Sequence, residues 1–310
     1  MAKPIVVTDG PLDDDVREFL GDDVELAPWD ASGDGPVGIY TYGHLHVGDE
    51  MLDRLPNVRI VSNYGVGVDH IDVAACAKRN IPVGNTPAIL NGATADMGVA
   101  LMLAAGRRMA EGDRYARSPE FTEYHPGYML GSEVHSTTLG IVGMGAIGRE
   151  VAKRAQAFDM ALLYHNRRRR PEVEEELGAR YASFDELLAE SDYVLLSCPL
   201  TEETRNLIDA AALAKMKPTA TLVNIARGGV VDTDALTDAL RERRIYAAGL
   251  DVTEPEPLPR DHPLLKLDNV VIMPHLGSAT KQTRRAMARN SVENLKLGLR
   301  GEPLLHQVGP

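Results

Sequence analysis

The sequence predicts an α/β protein whose larger part is a doubly wound parallel sheet of the Rossmann type. Three observations predict it. Short apolar runs alternate with helical patterns along the whole chain, which calls for parallel strands with helices packed on both faces. Gly143, Gly145 and Gly148 stand at G-x-G-x-x-G spacing between an apolar strand and a helix. Six apolar runs, beginning with the one before those glycines, are enough strands for a full dinucleotide-binding domain.

The chain of 310 residues has room for two domains of ordinary size. Its first part carries short apolar runs at Ile5–Val7, Val37–Tyr40, Val58–Val61 and Ile81–Val83. Gly/Asp-rich loops such as Asp30–Pro36 separate them. A long helical pattern follows over Ala95–Arg117, with Met97, Leu101, Met102, Ala105 and Met109 expected to fill core. Phe121–Tyr128 is aromatic-rich and reads as a loop. The six later strands are Leu139–Val142, Ala161–Tyr164, Tyr193–Ser197, Thr221–Ile225, Ala247–Leu250 and Val270–Met273. Arg149–Phe158 is a helix with Val151, Ala152, Ala155 and Phe158 on one face, and Lys281–Leu299 closes the chain as another.

The glycines have distinct tasks. Gly143 permits a tight turn, Gly145 lets the backbone approach a pyrophosphate, and Gly148 lets helix and strand pack closely. Ala146 and Ile147 open the helix, whose free N–H groups face the phosphates. Cofactor choice is read at the end of the next strand, where an acid commonly binds the ribose 2′-hydroxyl. Here that place holds Asn166-Arg167-Arg168-Arg169-Arg170, with no acid before Glu172. A carboxylate repels a 2′-phosphate and a guanidinium forks onto it, so NADP(H) is expected, with NAD(H) as the lesser option. Arg167 and Arg168 are the expected phosphate ligands, Arg169 and Arg170 solvated.

Composition narrows the rest. Hydrophobic content is 44% and charged content 25%, ordinary for a soluble globular protein. A net charge of −12 argues against nucleic acid or an anionic membrane as partner. The N-terminus enters a strand without a signal-peptide pattern, no run spans a bilayer, and two cysteines make no disulfide framework, so a cytoplasmic protein is expected. His44 and His46 lack a third ligand nearby in sequence, so no metal is expected. Cys198 ends a buried strand and is expected to pack there.

Taken together, these motifs resemble the D-2-hydroxyacid dehydrogenase family, most closely its glyoxylate/hydroxypyruvate reductases. The resemblance is carried by Asn63-Tyr-Gly-Val-Gly-Val-Asp69, Asn224-Ile-Ala-Arg227-Gly228, Gly249-Leu-Asp251-Val-Thr-Glu-Pro-Glu256-Pro257 and Pro274-His275-Leu-Gly-Ser-Ala-Thr280. It implies a smaller flavodoxin-like α/β substrate domain made of residues 1–95 and a returning helix at 282–310, with the dinucleotide-binding domain at 96–281 and the active site in the cleft. It implies reduction of a small 2-keto acid to the D-2-hydroxy acid, with His275 as general acid/base, Glu256 (rather than the nearby Glu254) as its partner, and Arg227 on the substrate carboxylate. Backbone N–H groups at Val66 and Gly67 would bind the same carboxylate. Asp251 would face the nicotinamide carboxamide and Thr94 would touch the cofactor. A homodimer through the dinucleotide-binding domain is implied, with Tyr124 as candidate for an aromatic residue reaching the partner's substrate. The alternatives are an NAD(H)-preferring dehydrogenase of another 2-hydroxy acid and a nucleotide-sensing, corepressor-like binding protein. Formate dehydrogenase ranks lower, since it resembles this chain with glutamine in place of Glu256. So does phosphoglycerate dehydrogenase, which prefers an acid after the second strand and often adds a regulatory domain.

Overall fold

The computed structural model describes residues 2–309. The chain forms two compact units, one from residues up to Leu90 and from Ala279 onward, the other Asn91–Ser278. The crossings thus fall a few residues before the positions 95/96 and 281/282 expected from sequence. The helix that carries Thr94 begins at Asn91 and lies whole in the second unit.

The first unit runs β1 (Ile5–Thr8), α1 (Asp14–Leu20), β2 (Glu25–Ala27), β3 (Pro36–Thr41), α2 (Asp49–Arg54), β4 (Val61–Asn63), α3 (Val73–Lys78) and β5 (Val83–Gly84). All pairings are parallel, in the order β2-β1-β3-β4-β5. This is the flavodoxin-like order. Val7, Ile39, Val61, Leu52 and Cys76 share its core. The C-terminal helix Lys281–Arg300 returns here and is tied in by polar contacts. Tyr40 and Ser291 hydroxyls lie 2.8 Å apart, and the Ser62 hydroxyl donates to the Ser291 carbonyl at 2.7 Å. Two strand positions differ from the sequence reading. In the run Val58–Val61 the regular strand begins at Val61, although the Arg59 N–H already donates to the Val37 carbonyl at 3.1 Å and the Ile60 carbonyl accepts from Ile39 at 2.9 Å, and Ile81–Val83 pairs at Val83–Gly84. β2 went unpredicted because Glu25 and Leu26 are exposed at a sheet edge, where no apolar run is required.

The second unit continues with α4 (Asn91–Gly106), α5 (Met109–Ala116), β6 (Thr138–Val142), α6 (Ala146–Gln156), β7 (Ala161–His165), α7 (Pro171–Leu177), β8 (Arg180–Tyr181), α8 (Phe184–Glu190), β9 (Tyr193–Leu196), α9 (Ala210–Lys215), β10 (Thr221–Asn224), α10 (Thr233–Arg241), β11 (Ala247–Leu250) and β12 (Val270–Ile272). Its parallel sheet has the order β12-β11-β10-β9-β6-β7-β8. Strand side chains alternate between two cores. Leu139, Ile141, Leu162 and Val223 meet Val99, Met102 and Val151 of α4 and α6. Leu163, Val194, Leu196 and Leu222 meet Leu187, Leu213 and Leu236 of α8, α9 and α10. Chain order reverses beside β6, so the glycine turn after β6 sits at the switch point where such sheets bind ligands. The edge strand β8, two residues long, carries no readable period.

One expectation fails. The helical pattern Ala95–Arg117 is not one helix, because Arg108 takes a left-handed conformation (φ +53°) and its guanidinium pairs with Glu111 at 2.7 Å. Beyond that break Met109 is 57% exposed, whereas Leu101, Met102 and Ala105 are buried as expected.

Candidate active site

The glycine turn is built as its spacing requires. Gly143 has φ +101°, and a Cβ there would meet the Cys198 amide nitrogen at 2.5 Å. A Cβ on Gly148 would run into the Gly143 carbonyl oxygen and sit 3.2 Å from Ile141, so helix and strand touch through glycine. A Cβ on Gly145 would meet nothing, so the space beside that backbone is open. Gly145 is also the N-cap of α6 and supplies no side-chain acceptor, leaving the first-turn N–H groups of an 11-residue helix to an incoming ligand. The cradle therefore fits a pyrophosphate. Cys198 packs beneath it, its thiol pushed up to about 11 by burial.

At the end of β7, Asn166 is tied to the same turn, its Oδ1 accepting the Met144 N–H at 2.7 Å. Arg169 forks onto Glu174 at 2.7 and 2.6 Å, and Arg170 lies 3.6 Å from Glu172. Among the described residues, Arg167 and Arg168 are exposed and make no side-chain hydrogen bond or ion pair. Arg169 is exposed, as expected, and is also tied to α7 through Glu174.

The other side of the switch point holds the three polar residues of the later motifs. Arg227 follows β10, His275 follows β12, and Glu256 lies in the loop after β11. His275 Nδ1 stands 2.7 Å from Glu256 Oε1, with both side chains partly exposed. Each turn is held from beneath by a buried residue that ends a strand or directly follows one. Asn224 accepts the Ala226 N–H at 3.0 Å and donates to the Arg227 carbonyl at 2.9 Å. Asp251 accepts the N–H groups of Leu276 and Gly277, both at 2.7 Å, and the His275 N–H donates to its carbonyl at 2.8 Å. This anchoring holds His275 at φ +55°, a conformation a histidine seldom adopts. Burial pushes the Asp251 carboxyl above its usual value, partly offset by those two amides. Asn224 and Asp251 are themselves joined, since the Asp251 N–H donates to the Asn224 carbonyl at 2.9 Å. Gly228 closes the arrangement: a Cβ there would collide with the Thr253 carbonyl, so the Arg227 and Glu256 loops touch.

Residues 99–277 match the family model described as the D-isomer specific 2-hydroxyacid dehydrogenase NAD binding domain, more than half of the chain. The chain belongs to the D-2-hydroxyacid dehydrogenase family. It is 51% identical over 254 residues to glyoxylate reductase of Korarchaeum cryptofilum, covering 82% of this chain and 76% of that one. It resembles the NADPH-dependent glyoxylate/hydroxypyruvate reductase of Sinorhizobium meliloti, solved with NADP and malonate, at TM-score 0.90 and 30% identity over 99% and 97% of the two chains. It also resembles the Aquifex aeolicus D-lactate dehydrogenase solved with NAD and lactic acid, at TM-score 0.86 and 30% identity over 99% of each.

This D-2-hydroxyacid dehydrogenase is therefore an oxidoreductase that reduces a small 2-keto acid with NAD(P)H. A histidine paired to a carboxylate can hold and pass a proton, and an arginine can fork onto a carboxylate. Thr94 lies beside the histidine loop, its hydroxyl 3.5 Å from where a Gly277 Cβ would stand. In the first unit, Asn85 donates to the Val66 carbonyl at 2.9 Å and Asn63 to the Gly67 carbonyl at 2.8 Å. Both carbonyls are thus occupied, while neither the Val66 nor the Gly67 N–H has a partner among the described residues. Tyr124 is 82% exposed and sits in a surface segment with exposed Phe121, Tyr128 and Leu130. No helix among the described residues is long and apolar enough to cross a membrane. Sequence reasoning missed the supporting roles of Asn224 and Gly228, although both stand inside the motif it quoted. It gave Asp251 a ligand role and missed its grip on the histidine loop.

Proposed function

We propose that this dehydrogenase is an NADPH-preferring reductase of glyoxylate or hydroxypyruvate that forms the D-2-hydroxy acid. The observation that carries the cofactor reading is at the end of β7. Asn166 stands where an acid would select NADH, and neither Arg167, whose charge acts on the Glu203 carboxyl, nor Arg168 makes a side-chain hydrogen bond, while their two neighbours are engaged. The relatives named glyoxylate reductase support the substrate reading.

In this reading the cofactor supplies the hydride. Gly143, Gly145 and Gly148, with the N–H groups of Ala146 and Ile147, hold its pyrophosphate; Asn166, Arg167 and Arg168 read the 2′-phosphate. Thr94 and Asp251 border the nicotinamide. Arg227 holds the substrate carboxylate, and its charge polarises the carbonyl. Glu256 holds Nδ1 of His275, and His275 is the residue that delivers a proton to the carbonyl oxygen. The carboxylate fixes the orientation of the ring.

The test is kcat/KM for glyoxylate, hydroxypyruvate and pyruvate with NADPH and NADH. Arg167→Ala and Arg168→Ala should each weaken NADPH use by roughly 10–150-fold, the worth of one charged hydrogen bond, and leave NADH little changed. Asn166→Asp keeps the oxygen that accepts from Met144 and replaces the amide NH2 by a charged oxygen, so it should shift preference towards NADH. Equal or better use of NADH by the wild type overturns the cofactor reading, and a preference for pyruvate overturns the substrate reading.

A further inference from the structure

The segment Asn166–Arg170 is fastened at both ends. At the first, Asn166 Oδ1 accepts the Met144 N–H. At the second, the Arg170 N–H donates to the Tyr164 hydroxyl at 2.6 Å, and that hydroxyl donates to Glu174 Oε1 at 2.7 Å. Glu174 also takes the fork of Arg169 on both oxygens, so Tyr164, Arg169, Arg170 and Glu174 form a closed set of hydrogen bonds. Tyr164 is fully buried on β7 and Glu174 lies on α7, so both anchors belong to regular elements. Hydrogen bonds from Arg169 and Tyr164 pull the Glu174 carboxyl down to about 2, so it stays ionised at any working pH.

An arginine on a loose loop must be ordered before it can grip an anion, and ordering a rotamer-rich side chain costs free energy that weakens binding. A loop held at both ends has met part of that cost beforehand. We infer that Tyr164 and Glu174 are positioning residues for 2′-phosphate recognition: they fix the short span that presents Arg167 and Arg168. The inference rests on the NADPH reading above and adds to it two residues that never touch the cofactor.

The experiment uses the full chain and two probes, 2′,5′-ADP and 5′-AMP, which differ by the 2′-phosphate alone. Binding of each is titrated by calorimetry, and the ratio of their affinities is the readout. 5′-AMP binding reports that each variant retains its cradle. Tyr164→Phe should lower the ratio by about 2- to 13-fold, the cost of ordering one arginine side chain, without changing 5′-AMP affinity. Glu174→Gln gives a test of sign. Removing a negative charge near the site should by Coulomb attraction alone raise the ratio, whereas loss of the clamp should lower it. If Arg167→Ala and Arg168→Ala leave the ratio at the wild-type value, the NADPH reading fails and the clamp with it. If those variants lower it while Tyr164→Phe does not, or if Glu174→Gln raises it, the clamp is overturned and the NADPH reading stands.

Discussion

At the scale of single residues, His275 and Arg227 carry the sharpest expectations. His275→Ala should lower kcat by roughly 10²–10⁴, the usual worth of a positioned acid–base group. Near-normal turnover with cofactor binding intact would remove His275 from the mechanism. Arg227→Lys keeps the charge and loses the planar fork, so kcat/KM for glyoxylate should still fall, and an unchanged value would refute the pose. Asp251 offers a pH test. Its folded-state pKa is raised, so its contribution to stability is present below the unfolded value and is lost as pH rises through the folded one. The melting temperature of the wild type, relative to Asp251→Asn, should therefore increase on going from about pH 7 to about pH 4. A difference that shrinks over that range would show that the amides outweigh burial.

Among elements, the glycine turn separates fold from ligand. Gly143→Ala puts a side chain at φ +101° against the Cys198 amide, so the melting temperature should fall, by the equivalent of about 1–3 kcal/mol for the backbone strain alone. Gly145→Ala meets open space, so the fold should hold while NADPH binding weakens. Calorimetric melting and cofactor titration of both variants distinguish the two roles; equal loss of stability in both would refute the distinction. The same elements show why sequence reading works unevenly. β6, β7 and β11 are visible because their apolar runs are buried on both faces. Neither β2 nor β8 is visible, because short edge strands bury too little to impose a pattern.

For the whole molecule, we propose a homodimer through the second unit. Met109, Phe121, Tyr124, Tyr128 and Leu130 all lie exposed on α5 or in the segment that follows it. Scattered apolar residues need no explanation, but five within one short stretch favour a covered surface. Sedimentation of the wild type should give a dimer, and Phe121→Asp with Leu130→Asp should shift it towards monomer. A monomeric wild type would leave Tyr124 without a partner's substrate to reach.

The sequence by itself determined the parallel α/β class and the glycine turn, and its motifs singled out Arg227, Glu256 and His275 as the residues proposed for the chemistry. These depend on local rules: glycine where φ or close approach demands it, and motif residues directly after apolar strands. The cofactor preference proposed above also rests on consecutive residues, Asn166, Arg167 and Arg168. Tertiary structure alone decided what lies beneath them. That Asp251 grips the His275 turn depends on β11 and β12 being neighbours in register. That Tyr164 and Glu174 bind one loop depends on β7 and α7 packing together. The break at Arg108, which exposes Met109, interrupts a pattern that read as one continuous helix. Hydrogen bonds between residues far apart in sequence leave no period behind them, so only packing reveals which polar side chains meet.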